Sequence, residues 1–283
     1  MKLAGTVILY HPDDSIFKNV QSYLHHIEKL YVIDNTENDP AEVTKNINQL
    51  PKVTYLHDGI NKGIAARLNQ VCNLAIEDGY EWLLTMDQDS SFEADFLEKY
   101  IECIAQFTDS EKVAMFGVNY LEKVDQKNGY NALAVDHLIT SGSIINLKLF
   151  TTIGGFDEKL FIDEVDLEYC FKSIAKKFKI IQFPNIYLNH SLGKLYYHRS
   201  LKNLKTTPRI LHSPVRLYYI TRNFFYIRSK YKHIFPEQVK RIKAALLNRI
   251  KNNVLYNKKR MQVIKYIVKA VSDYKRNKMG KLE

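Results

Sequence analysis

The chain of 283 residues is 46% hydrophobic and 25% charged, which suits a globular α/β domain with an appendage and excludes wholesale disorder. Its three cysteines, Cys72, Cys103 and Cys170, show no CxxC spacing, which argues against a disulfide framework or a zinc site and fits a reducing compartment. The net charge of +10 conceals a division: from Lys194 onward 24 Lys and Arg face three acids, a net of +21, whereas residues 1–193 hold 17 against 28, a net of −11. Such asymmetry points to a polyanionic surface, anionic lipid or nucleic acid, as partner of the C-terminal third.

In chain order, Leu3–Tyr10 is an apolar, β-branched run that breaks at His11-Pro12, so it predicts a first strand and not a signal peptide. A helix is predicted from Ser15, with Phe17, Val20, Leu24 and Ile27 at helical spacing. Leu30–Ile33 and Val53–His57 follow as strands, the second leading through Asp58–Gly63 into a helix that runs to about Asp78. Glu81–Met86 predicts a fourth strand ending in Asp87-Gln88-Asp89, and Phe92–Phe107 a helix. This β-α-β-α order implies a mostly parallel, doubly wound sheet, in which ligands bind beyond the carboxyl ends of the strands. Asp34-Asn35, Asn61-Lys62-Gly63 and Asp87-Gln88-Asp89 all fall at such ends, where one cleft can collect them.

From Val113 the pattern predicts strands at Val113–Tyr120 and Leu133–Asn146 with a polar hairpin around Asp125–Asn128, then a helix over Glu164–Lys177. Short strands are expected at Lys179–Phe183 and Ile186–Asn189. Beyond Lys194 the chain is basic and aromatic, and beyond Pro236 helical. There one apolar stripe runs Val239, Ile242, Leu246, Ile250, Val254 and a second Ile264, Ile267, Val268, Val271. The division is placed at 1–208 and 209–283. The longest uncharged stretch, Ile180–Gly193, contains Gln, Pro, Asn and His, so no bilayer span is expected and the predicted location is cytoplasmic.

Asp87-x-Asp89 directly after an apolar strand is the sharpest chemical signal. Two carboxylates in a turn suit Mg²⁺ or Mn²⁺, which a diphosphate leaving group needs to offset its charge, although the same pair also serves as a helix cap. Asp163, Glu164, Asp166 and Glu168 stand where a helix begins, and acids there are favoured by the helix dipole in any case. Asp163, however, emerges from Leu160-Phe161-Ile162, whose apolar surroundings suit a general base. His190 follows an alternating strand and is a candidate ligand.

Together these segments resemble the family-2 glycosyltransferases, inverting enzymes of the GT-A fold, and within them the rhamnosyltransferase-like branch. The resemblance spans roughly residues 4–225. It rests on Val7-Ile8-Leu9-Tyr10-His11-Pro12, Val32-Ile33-Asp34-Asn35, Asn61-Lys62-Gly63-Ile64-Ala65, Met86-Asp87-Gln88-Asp89, Ser141-Gly142-Ser143, Gly155-Phe156-Asp157 with Phe161-Ile162-Asp163, His190-Ser191-Leu192-Gly193 and Tyr218-Tyr219-Ile220-Thr221-Arg222-Asn223.

The resemblance implies that Asp34 accepts from the imide N–H of uracil or thymine, with Tyr10 and Pro12 flanking the base and Asn61 and Gly63 shaping the nucleoside loop. It implies Asp89 and His190 as metal ligands and Asp87 on the ribose side. Ser141 and Gly142 would face donor sugar and acceptor, and Arg222 and Asn223 phosphates or the acceptor. Many members carry Glu-Asp where this chain has Asp163-Glu164; Asp163 is the expected base and Glu164 the alternative, with Asp166 supporting the site or capping the helix. The implied reaction moves a sugar, L-rhamnose from dTDP-L-rhamnose or a hexose from a UDP-sugar, to a saccharide acceptor that is lipid-linked, in bacterial surface polysaccharide synthesis.

The basic tail is expected at an anionic membrane surface on the inner face of the cell membrane. Its stripes also allow packing or a homodimer, and its charge allows nucleic-acid backbone, but the enzyme reading expects no nucleic acid. The rival class, a non-catalytic basic nucleic-acid-binding protein, leaves the carboxylates at the strand ends unexplained. A nucleotidyltransferase lacks its Gly-rich phosphate loop near the first strand.

Overall fold

A computed structural model describes residues 1–37, 42–93, 95–121, 131–190, 195–199 and 205–283. The expected hairpin around Asp125–Asn128 and the Ser191-Leu192-Gly193 motif lie outside the described residues. The chain forms two compact units, Met1–Glu158 with Val165–Ser191, and Lys159–Glu164 with Leu192–Glu283.

The first unit alternates β1 (Leu3–Leu9), α1 (Ser15–Leu24), β2 (Lys29–Asp34), α2 (Glu42–Asn48), β3 (Val53–His57), α3 (Ile64–Glu77) and β4 (Trp82–Asp87). It continues with β5 (Ser90–Phe92), α4 (Phe96–Ala105), β6 (Val113–Asn119), β7 (Leu133–Ala134), β8 (Ser143–Asn146), α5 (Leu147–Ile153), α6 (Val165–Ala175) and β9 (Lys179–His190). The strands lie in the order β3-β2-β1-β4-β8-β6-β9-β5, with β7 on β9. The block β3-β2-β1-β4 is parallel throughout, as is β6 with β9, and β8 runs antiparallel between β4 and β6. The sheet is therefore the mostly parallel, helix-flanked α/β sheet that the element order predicts. Apolar residues on one face of the sheet and on the helices that cover it, among them Val7, Leu9, Val20, Tyr23, Leu84, Met86, Phe116 and Phe183, form one buried cluster, with about 1.5–3 kcal/mol from each fully buried Val, Leu, Met or Phe.

Three elements differ from expectation. The strand predicted over Leu133–Asn146 is two short pieces, β7 paired with β9 and β8 paired with β4 and β6, and Gly142 at φ +73° turns the chain just before β8. Phe92 ends β5, which pairs with the end of β9, and the helix starts only at Phe96 after a left-handed Asp95. The two strands expected at Lys179–Phe183 and Ile186–Asn189 are one, β9. Its register against β6 jumps from Val118↔Phe183 to Asn119↔Tyr187, and this irregularity absorbs Pro184, whose carbonyl accepts from Asn119 Nδ2 (3.1 Å).

The second unit holds the hairpin β10 (Leu195–Arg199) and β11 (Thr206–Ile210), then α7 (Pro214–Tyr231), α8 (Pro236–Tyr256) and α9 (Arg260–Lys275). Ser213 and Pro214 open α7, the Ser213 hydroxyl accepting from Arg216 N–H (3.2 Å). The stripe on α8 is a packing face: Leu246, Ile242 and Ile250 lie against Ile220, Phe224 and Phe225 of α7. On α9 the buried positions are Val263, Ala270 and Asp273, so Ile264 and Val268 of the predicted stripe are left exposed. Among the described residues no helix is long and apolar enough to cross a membrane.

Candidate functional site

Parallel register aligns the carboxyl ends of three strands, Leu9 of β1 opposite Asp34 of β2 and Ile8 opposite Asp87 of β4. Gln88, between the two aspartates, staples β1 to β4: it accepts from Tyr10 N–H (2.8 Å) and donates to the Tyr10 carbonyl (3.2 Å). Tyr10 is 45% exposed, while Pro12 is buried. Asp34 is fully buried; its carboxylate accepts from Thr36 N–H (2.9 Å) and from Tyr55 OH (2.8 Å). Burial and the Asp34 carboxylate push the Tyr55 phenol up to about 12, so it remains a donor at neutral pH.

The loop after β3 is organised on Asn61 and Arg67. Asn61 Oδ1 accepts from Asn35 Nδ2 (2.8 Å) and from Gly63 N–H (3.1 Å), and Gly63 takes φ +83° to enter α3. Arg67 is buried; it donates to Asn35 Oδ1 (3.0 Å), Gln70 Oε1 (2.8 Å), the Ile60 carbonyl (2.7 Å) and both oxygens of Asp58. That guanidinium holds the Asp58 carboxyl well below the usual carboxylate range.

Asp87, Asp89 and His190 converge, one ligand atom of each lying within 4.8 Å of the others. Donors that share one ion with bonds of ~2.1 Å stand about 3.0 Å apart when adjacent and about 4.2 Å apart at most, so side-chain adjustment would bring the three onto one ion. Two carboxylates and one imidazole are a donor set for a divalent cation, so the residues fit the metal that the sequence implies. Asp89 is exposed, with Oδ1 3.6 Å from His190 Nδ1, and the His190 side chain is largely covered. Behind this group runs a polar chain: Asp87 N–H donates to Ser141 Oγ (3.1 Å), Ser141 Oγ lies 2.7 Å from Ser90 Oγ, and Ser90 Oγ lies 2.8 Å from His190 Nδ1. Tyr120 meets the His190 ring edge-on at 5.9 Å. Ser141 and Gly142 are both buried, so this hydroxyl supports the aspartate turn rather than lying open at the surface.

The acidic pair stands in the other unit. Asp163 Oδ1 pairs with Arg216 Nε at 3.2 Å, and Asp163 and Glu164 both have positive φ, so neither belongs to α6, which begins at Val165. Asp166 accepts from Leu167 N–H (2.8 Å) in the first turn of α6, and its other oxygen lies 3.9 Å from His137. Arg222 and Asn223 differ from expectation. Both are fully buried: Arg222 donates to the Gly280 (2.7 Å) and Leu160 (3.2 Å) carbonyls, and Asn223 Nδ2 to those of Leu160 (3.0 Å), Ile162 (2.8 Å) and Asp163 (2.9 Å). They bind the protein's own backbone here, so neither lies open to a phosphate.

Sequence reasoning missed Gln88, Ser90, Tyr55 and Arg67. Gln88 lay inside the Asp-x-Asp motif, and Arg67 was visible as a charged residue beside Leu68 and Val71 on the apolar face of α3. Ser90 and Tyr55 carried no signal, since their partners come from distant strands. A shallow depression lined by Met1, Glu81, Trp82, Ile104, Asn146 and Lys148 lies at the amino end of β4, the opposite end from Asp87.

Residues 14–159 match the family described as Glycosyl transferase family 2. The chain is 26% identical over 249 residues to the dTDP-rhamnosyl transferase RfbF of Shigella flexneri, covering 80% of this chain and 79% of that one. Among solved structures it is similar to S. aureus TarS 1-349 in complex with UDP-GlcNAc (TM-score 0.58, 15% identity, 97% of this chain and 80% of that chain). It is also similar to GalNAc-T7 with UDP, GalNAc and Mn²⁺ (TM-score 0.56, 11% identity, 67% of this chain), of which it spans only 44%. These neighbours share the GT-A fold, and the family match covers β2 to β4 and the turn after β4, which carry Asp34, Asp87 and Asp89. The chain belongs to glycosyl transferase family 2.

Proposed function

We propose that the chain is a metal-dependent, inverting transferase that moves L-rhamnose from dTDP-L-rhamnose to a hydroxyl of a lipid-linked saccharide, in synthesis of a bacterial surface polysaccharide. The observation that carries the reading is the convergence of Asp87, Asp89 and His190 at the strand ends that also bear the buried Asp34. The likeness to a dTDP-rhamnosyl transferase favours this donor. A UDP-hexose is the second reading, favoured by the UDP-GlcNAc complex of a structural neighbour.

In this reading Asp34 receives the imide N–H of the base on a remaining lone pair, Tyr10 stacks on the base, and Pro12, Asn61 and Gly63 shape its pocket. Asp87 orients the ribose. Asp89 and His190 hold Mg²⁺ or Mn²⁺, which when bound offsets the charge of the departing diphosphate. The imidazole favours Mn²⁺, because Mg²⁺ sites are built from oxygen donors and water. Asp163, with Glu164 as alternative, takes the proton of the acceptor hydroxyl as its oxygen bonds to the anomeric carbon and the bond to the diphosphate breaks. Ser141 and Gly142 border the sugar from behind the Asp87 turn. The exposed face of α9 brings the enzyme to the inner leaflet and its lipid-linked acceptor.

The test is hydrolysis of a nucleotide-sugar panel with Mn²⁺ or with EDTA. Turnover of dTDP-L-rhamnose in Mn²⁺ and not in EDTA is expected. Preference for a UDP-hexose would move the donor to the second reading, and turnover of no nucleotide sugar would defeat both.

A further inference from the structure

Residues 159–164 carry backbone strain that their own sequence does not relieve. Phe161, Asp163 and Glu164 all lie at positive φ (66°, 61° and 62°), a region that aspartate tolerates but that is uncommon for Phe and Glu. Such a conformation persists only where its surroundings over-determine it. Here the restraints come from two places far along the chain.

One is the pair Arg222 and Asn223, whose side chains donate to the carbonyls of Leu160, Ile162 and Asp163. The other is the segment from Gly280 to Leu282. Gly280 N–H donates to the Lys159 carbonyl (2.8 Å), and the Gly280 carbonyl accepts from Arg222 Nη1 (2.7 Å). Leu282 N–H donates to Tyr219 OH (2.8 Å), and the Tyr219 ring stacks on Phe161 with centroids 5.3 Å apart. Leu282 also packs with Phe161, Tyr218 and Tyr219. Gly280 itself sits at φ +81°, which suits glycine. These contacts converge, directly or through Arg222 and Tyr219, on the six residues that include both candidate bases.

We infer that Gly280–Leu282, acting with Arg222 and Asn223, is a clamp that positions Asp163 and Glu164. Arg222, Asn223 and Gly280 are positioning residues: they hold the backbone of the acidic pair and touch neither nucleotide nor sugar. The inference rests on the proposed reading of that pair as the source of the base. It also means that the basic C-terminal region carries part of the catalytic apparatus, so its removal would not leave donor chemistry intact.

The test compares the full chain with a form lacking residues 280–283 and with Asn223→Ala. Three readouts are taken: amide hydrogen exchange of a peptide spanning 159–164, dTDP affinity in Mn²⁺, and turnover of the nucleotide sugar that the panel selects. In both variants exchange should accelerate about tenfold or more and turnover should fall about 10²-fold, the scale of a small misplacement of a catalytic group. dTDP affinity should stay within about twofold, a split that general destabilisation would not give. Unchanged exchange in both variants overturns the clamp, and faster exchange with undiminished turnover overturns its positioning role. Asp163→Asn and Glu164→Gln in the same assay isolate the underlying reading. If both retain full turnover the base assignment fails on its own, whereas if either is inactive the outcome for the shortened chain bears on the clamp alone.

Discussion

Gly142 shows how narrowly the metal-side geometry is set. A Cβ there would lie 2.8 Å from Leu188 Cδ2 and 3.0 Å from Val118 Cγ2, and the residue takes φ +73°. Its neighbour Ser141 is the hydroxyl that receives Asp87 N–H and adjoins Ser90. Gly142→Ala is expected to cost about 2–4 kcal/mol from strain and overpacking. Chemical denaturation should record that loss together with weaker Mn²⁺-dependent dTDP binding, and a fully stable variant would show that the turn relaxes freely. At this scale the sequence made the candidate metal group readable and its supports unreadable. Asp87, Asp89 and His190 follow strands in an order that a sheet brings together, so residue type and position were enough. Ser90 became meaningful only once β5 paired with the end of β9. Arg222 and Asn223 matched a motif in type, but both are buried against Leu160–Asp163, and Arg222 also against the segment at Gly280, 58 residues along the chain.

Among the elements, β1 to β4 and α3 stood out because parallel strands buried on both faces read as apolar runs closed by polar ends. The seven-residue helices α2 and α5 did not, being too short to show a period. Helix α7 was obscured by its aromatic and basic residues, although Ser213-Pro214 signals its start. Helix α9 carries the membrane proposal. Its exposed face bears Met261 (73%), Ile264 (41%) and Val268 (64%), and Lys265, Lys275 and Arg276 project from the same side by helical spacing. The one acid of the helix, Asp273, is on the buried side, bonded to Tyr218 OH (2.9 Å) and Lys269 (3.1 Å). Basic residues near an anionic leaflet contribute on the order of 1 kcal/mol each. The full chain should therefore co-sediment with phosphatidylglycerol vesicles at low salt, and Val268→Asp with Met261→Asp should abolish this while preserving donor turnover. Unimpaired sedimentation of the double variant, or none by the wild type, would assign the face to a second copy of the chain or to no partner.

For the whole molecule, the change of composition near Lys194 falls beside the division after Ser191, so the acidic and basic parts of the sequence correspond closely to the two units. The membership of Lys159–Glu164 in the second unit was not legible, because it follows from backbone bonds to Arg222, Asn223 and Gly280 and not from composition. The acidic unit carries the candidate nucleotide and metal residues, and the basic unit carries the candidate base and the helix proposed to meet a membrane. Metal-dependent nucleotide binding by the acidic unit is the central assignment. Calorimetric titration of dTDP into the wild type, Asp89→Ala and His190→Ala, each with Mn²⁺ and with EDTA, tests it most directly. The wild type should bind dTDP in Mn²⁺ and lose at least about tenfold in affinity in EDTA, while both variants, still folded, should be insensitive to the metal. Equal affinity with and without Mn²⁺ in the wild type, or an undiminished metal response in Asp89→Ala, would contradict it.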